Sequence, residues 1–188
     1  MPDEIVLTVD EFDEIIQPST RAQAVASYCW RRASGGIVFD PQRDLILSHR
    51  RSDEKDERPG VWVSTFGGKV RDGEGVADAA RRELSEEFGL QIIDADLHFV
   101  RKERAVSRFQ FEYLHVVLID SQNATVIPDH TEVAEYAWIP GDDLLRKINE
   151  QDWFKYGYEL ALLEFARRQG VKASESHMRA DGGAIQAI

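Results

Sequence analysis

Cysteine is close to missing. Cys29 is the one thiol in 188 residues, so no disulfide can form within the chain and a stapled extracellular scaffold is excluded. The expectation is a reducing cytoplasm, with Cys29 a small buried hydrophobe. Positive charge is scarce as well: 23 Lys and Arg stand against 34 Asp and Glu, a formal charge of −11. That balance disfavours a nucleic-acid polymer or an anionic membrane surface as partner, because both present phosphates that would repel it. No apolar run approaches the roughly 20 residues of a membrane span, and no basic-then-apolar segment opens the chain. None of the five histidines stands at metal-ligand spacing, and His115, alternating with apolar neighbours, reads as core. No internal repeat is visible, and 188 residues suit one well-buried domain better than two.

What is present reads as alternating strands and helices, an α/β pattern. Residues 4–18 alternate apolar and acidic positions, which predicts a strand or hairpin laid against the main body, and Ser19 or Thr20 can cap a short helix reaching about Ser27. Residues 1–29 are thus an amino-terminal extension, one that could support a homodimer. Residues 36–39 and 45–48 flank the turn 40–44 and predict an antiparallel hairpin, with a charged loop over residues 50–58 after it. Residues 59–68 read as a turn, a short strand and a flexible entry rich in glycine. Residues 97–104 and 109–119 look like paired strands, with another at 136–139. Residues 152–168 predict an amphipathic helix with Phe154, Tyr158, Leu162 and Phe165 as its apolar stripe. Past Gly170 the periodicity ends, and residues 170–188 read as a mobile tail.

The stretch from residue 68 to 90 carries the chemistry. Asp72-Gly73 is a turn signal, residues 75–88 form a helix, and Gly89 is its left-handed cap. Val76, Ala80, Leu84 and Phe88 repeat every four residues as a core-facing stripe. Glu83, Glu86 and Glu87 stand three and four residues apart, on one side of that helix. Like charges so placed cost roughly a few tenths of a kcal/mol per pair. A bound cation would offset that repulsion, and hard cations with oxygen ligands suit it: Mg²⁺ first, Mn²⁺ as an alternative. Arg82, beside Glu74, could pin loop to helix through a bidentate pair.

This stretch resembles the Nudix box, whose nine defined positions are filled by Gly68, Glu74, Arg82, Glu83, Leu84, Glu86, Glu87, Gly89 and Leu90. The resemblance implies a Nudix α/β/α sandwich with a mixed β-sheet over residues 30–169. It also implies Mg²⁺-dependent hydrolysis of a small-molecule diphosphate, with metal held by Glu83, Glu86, Glu87 and the Gly68 carbonyl and Arg82 paired to Glu74. Outside the box, Arg32-Ala33, Arg50-Arg51-Ser52, Lys55, Pro59-Gly60 and Trp62 resemble the subgroup related to isopentenyl-diphosphate isomerase. That isomerase needs a cysteine and a metal-binding histidine in a Cys-Gly-His segment, where this chain has Phe66-Gly67-Gly68. Phenylalanine cannot transfer a proton, so the resemblance favours hydrolysis over isomerisation.

Analogy supplies further candidates. Glu112 lies near a metal-ligating glutamate of the isomerase relatives, and Glu132 suits a loop-borne catalytic base. Arg50 and Arg51, after a strand that ends near the cleft, are candidates to clamp substrate phosphate, with Lys55 and Lys69 behind them. Trp62 and Trp138 read as core. A module that binds a nucleotide-sugar without cleaving it is the competing class, and its mark, a degenerate box, is missing. So are the downstream proline and tyrosine, expected near Val106, of proteins resembling ADP-ribose and dinucleoside-polyphosphate hydrolases.

Overall fold

The structure is a computed structural model describing residues 5–181, with side chains as far as residue 170. The first apolar segment forms β1 (Ile5–Val9), which turns back at Asp13 into β2 (Ile15–Thr20). Thr20 then caps α1 (Arg21–Ala26), its hydroxyl accepting from the Gln23 amide at 3.2 Å. Next come β3 (Trp30–Asp40), β4 (Leu45–Arg51), β5 (Trp62–Val63) and β6 (Phe66–Lys69), then the box helix α2 (Val76–Phe88). The chain continues through β7 (Leu97–Ala105), β8 (Gln110–Leu118), β9 (Val133–Pro140), the short α3 (Leu144–Lys147) and α4 (Glu159–Asp181).

These strands make one mixed sheet built around β3. Along one edge β3 runs parallel to β8 from Arg31 to Phe39, and β8 in turn pairs antiparallel with β7. Along its other edge β3 meets three strands in succession: β1 at Trp30 and Arg31, β6 from Ala33 to Gly36, and β4 only at Phe39 and Asp40. The sheet therefore opens between β6 and β4. The β3–β4 hairpin expected from residues 36–48 is present but shares two residue pairs, because β4 leaves to pair with β9 and β5.

Alternation along the strands sorts the core into two layers. Ile37, Phe39, Ile46, Leu114 and Val116 face α3 and α4, where Leu144, Leu162, Leu163 and Ala166 are buried with them. Val38, Leu47 and Val117 face α2 and meet Ala80, Leu84 and Phe88. Two faces, each covered by helix, make the α/β/α sandwich. The long helix departs from its expected limits at both ends: it starts at Glu159 and runs to Asp181. Phe154 and Tyr158 thus precede it, on a segment held by the Glu159 carboxylate, which accepts from the Tyr156 and Gly157 amides. Helical backbone also takes in residues 170–181, the first part of the expected tail, and residues 182–188 lie outside the described residues. No helix among the described residues is long and apolar enough to cross a membrane.

Candidate active site

The loop between β6 and α2 is shaped by one arginine. The Arg82 Nε and Nη2 donate to the two Glu74 carboxylate oxygens at 2.8 and 3.1 Å, and Nη2 also donates to the Lys69 carbonyl at 2.8 Å. Start of loop, turn and helix are thereby tied together. Burial opposes ionisation of Glu74, but the Arg82 hydrogen bonds and the Arg71 amide hold its carboxyl below the usual range. Gly73 takes the turn at φ +74, and Gly89 ends the helix at φ +65, a left-handed conformation that suits glycine.

Glu87 sits in the last turn of α2 and is only 6% exposed. Its Oε1 accepts from the Gly67 amide at 3.4 Å, while its Oε2 is buried with no hydrogen-bond partner. Burial first, then the neighbouring Glu83 charge, pushes its carboxyl well above the ordinary value. Glu132 adds to that field, so its carboxylate is also close to Glu87 in electrostatic terms, although Lys55 pairs with it. The Glu83 carboxylate lies so near Gly68 that a β-carbon there would come within 2.2 Å of its Oε1.

Glu87 opens onto a cleft of about 90 Å³ at the gap between β6 and β4, with side chains reaching it from both faces of the sheet. Gly68, Lys69, Glu112, Arg51, His49, Tyr156 and Tyr158 line it. Residues 30–159, more than half of the chain, match the NUDIX domain model.

The chain belongs to the Nudix family.

Over 175 residues it is 31% identical to an isopentenyl-diphosphate Delta-isomerase of Burkholderia multivorans, covering 88% of this chain and 97% of that protein. It is 30% identical over 147 residues to the uncharacterised Nudix hydrolase YfcD of Salmonella typhi, covering 76% and 75% of the two. Among solved structures, that of DR0079 from Deinococcus radiodurans superposes with a TM-score of 0.69 at 24% identity, over 87% of this chain and 99% of the other. That likeness is one of fold.

Within this Nudix frame the three box carboxylates are not equivalent. Glu86 is on the exposed side, bonded by Arg71 at 3.2 Å and Arg82 at 2.8 Å. Glu83 accepts from Arg82 at 2.7 Å. Among the described residues no three His, Cys, Asp or Glu side chains form a ready-made metal group. The donor set fits a divalent cation nonetheless, because the Glu87 Oε2 is a buried acceptor with no donor and Glu83 and the Gly68 backbone adjoin it.

The other expected residues divide between cleft and surface. Arg51 lines the cleft, its Nε and Nη2 donating to the Glu57 carbonyl at 3.1 and 2.9 Å. Arg50, also expected to clamp phosphate, turns away instead and bonds Glu135 at 2.7 Å and Asp53 at 3.1 Å. The reason is the pleat: β4 extends through Arg51 rather than ending at Ser48, so neighbouring arginines point to opposite faces. Lys69 lines the cleft, where burial and the Arg31 and Arg21 charges push its pKa down to about 8. Glu112 is in the cleft but already paired, at 2.8 Å, with Arg108. Cys29 is half-buried rather than enclosed.

Several residues at the cleft carry no motif that would single them out in the sequence. His49 is enclosed edge-on against Phe88, and burial pushes its pKa down to about 3, with the Arg51 and Lys55 charges adding to the shift. Tyr156 and Tyr158 arrive on the segment before α4, their rings stacked at 5.6 Å. Arg31, two residues before the cleft-lining Ala33 on β3, has one signal, an arginine inside a strand whose alternate positions are apolar. His115 is turned away from this chemistry: its Nδ1 faces the Gly35 and Tyr113 carbonyls, at 3.3 and 3.1 Å, and donates there.

Proposed function

We propose that this protein is a Mg²⁺-dependent Nudix hydrolase that cleaves the diphosphate bond of a small molecule. The observation that carries the reading is Glu87, a buried carboxylate on the box helix with an oxygen that no donor satisfies. Mg²⁺, when bound, would screen the diphosphate charge and lower the pKa of a coordinated water. Glu87, Glu83 and the Gly68 carbonyl are the groups to hold it, with Glu86 reaching it only by leaving Arg71 and Arg82. Arg51 offers its guanidinium to a phosphoryl oxygen. Glu132, whose charge acts on Glu87 and whose carboxylate pairs with Lys55, is the candidate base for the attacking water. Glu87→Gln is expected to lose on the order of a hundred-fold or more in turnover on its best nucleoside-diphosphate derivative, with folding unchanged. Turnover like that of the wild type would sink the assignment.

The names of the relatives favour a second reading, isomerisation of isopentenyl diphosphate. Against it, Phe66 is packed in the core at 5% exposure, and the single thiol, Cys29, is not among the residues lining the cleft. Incubation with isopentenyl diphosphate and Mg²⁺ is expected to give no dimethylallyl product, and its appearance would replace the hydrolase reading.

A further inference from the structure

Where β3 enters the cleft, strand register and the turn before β8 bring a group of cations together. Ala33 pairs with Lys69 on one side and Glu112 on the other, so those two side chains share a sheet face with only a methyl group between them. Two residues earlier on β3 stands Arg31, 5% exposed. Its Nη2 donates to the Arg108 carbonyl at 2.8 Å, and its Nε and Nη1 are buried without a partner. The Arg108 guanidinium pairs with Glu112, leaves its own Nε buried and unpartnered, and lies 5.3 Å from the centre of the Tyr156 ring. The Lys69 ammonium has no hydrogen bond or ion pair among the described residues. Three cations thus stand in an enclosed corner of a chain whose formal charge is −11, with Glu112 paired to Arg108 and the Glu57 charge acting on Arg31 and Lys69 from farther out.

Unpaired buried guanidinium nitrogens are costly unless something accepts from them. A divalent cation would be repelled here. We propose that Arg31, Lys69 and Arg108 form an anion subsite that binds a phosphoryl oxyanion directly, without metal, and that Glu112 holds Arg108 in place rather than ligating Mg²⁺. On the hydrolase reading, the group bound is a terminal phosphoryl of the substrate, and molecules ending in a free phosphate are favoured over those esterified at both ends. Binding itself does not depend on that reading, which keeps the two separable.

The test is calorimetric titration of inorganic phosphate into the whole protein in EDTA. Wild type is expected to bind, and Lys69→Gln to bind about tenfold more weakly through loss of a charge-assisted hydrogen bond. Arg31→Gln should abolish binding, and Lys69→Gln, at a half-buried position, serves if that variant does not fold. Glu87→Gln is expected to bind phosphate as wild type does, so loss of turnover and loss of the subsite are read in different experiments. Separately, Mg²⁺ affinity should be unchanged in Glu112→Gln. No phosphate binding by wild type, equal binding by Lys69→Gln, or a tenfold loss of Mg²⁺ affinity in Glu112→Gln would overturn the proposal.

Discussion

At the scale of single residues, His49 and Glu87 share one property with opposite consequences. Both are buried in the cleft wall, and burial disfavours the charged form of each. For the carboxyl this means that ionisation is opposed, a cost that a bound cation would offset. For the imidazole it means neutrality well below its ordinary pKa. The unfolded chain takes up that proton near pH 6.5 and the folded chain only near pH 3, so stability is full above 6.5 and falls as the pH drops between those values. Urea unfolding at pH 7 and pH 5 should show a loss of about 2 kcal/mol that His49→Leu removes. An identical loss in the variant would assign it to other groups. Neither shift could be read from sequence, since Glu87 differs from Glu86 by one place in the chain and by its entire surroundings in the fold.

Elements decide which charges meet. The α2 stripe and its Gly89 end follow from periodicity, and the structure buries Ala80, Leu84 and Phe88 as that pattern requires. The approach of β6 to the helix is tighter than any pattern conveys. At Gly68 the strand backbone lies against the Glu83 carboxylate, so Gly68→Ala must push that flexible group aside while leaving the strand and helix intact. The expected outcome is a melting temperature close to that of wild type with Mg²⁺ affinity lowered about tenfold, one displaced charge-bearing ligand being worth roughly 1.4 kcal/mol. Unchanged Mg²⁺ affinity would remove Glu83 from the metal site. Strand length has a comparable effect at Arg50 and Arg51: the extension of β4 past Ser48 sends one arginine into the cleft and its neighbour out of it.

For the whole molecule, the amino-terminal hairpin is part of the central sheet. Asp13, in its turn, is 6% exposed and accepts from Arg32 on β3 at 2.7 Å, from Lys102 on β7 at 2.8 Å and from the Tyr113 hydroxyl on β8. Burial opposes its charge, but those donors together hold its carboxyl below the usual value. Asp13→Asn keeps the left-handed turn at φ +73 and removes the charge. It should cost about 3 kcal/mol in urea unfolding, because two cations lose their partner, and amide exchange should speed up first in residues 5–20. A loss under about 0.5 kcal/mol would mark the contact as a surface ion pair. By itself the sequence determined the family, the box helix and its end, and the alternation that lays a helix on each face of a sheet, because these depend on spacing along one chain. The tertiary structure alone decided that Glu87 is the buried carboxylate of the box, that Arg51 and not Arg50 faces the cleft, and that Lys69 and Arg108 meet Glu112 on the strand face that also carries Arg31. Helix packing sets the first, the length and pleat of β4 the second, and register between strands far apart in sequence the third, so a charge takes its properties from neighbours that only the fold supplies.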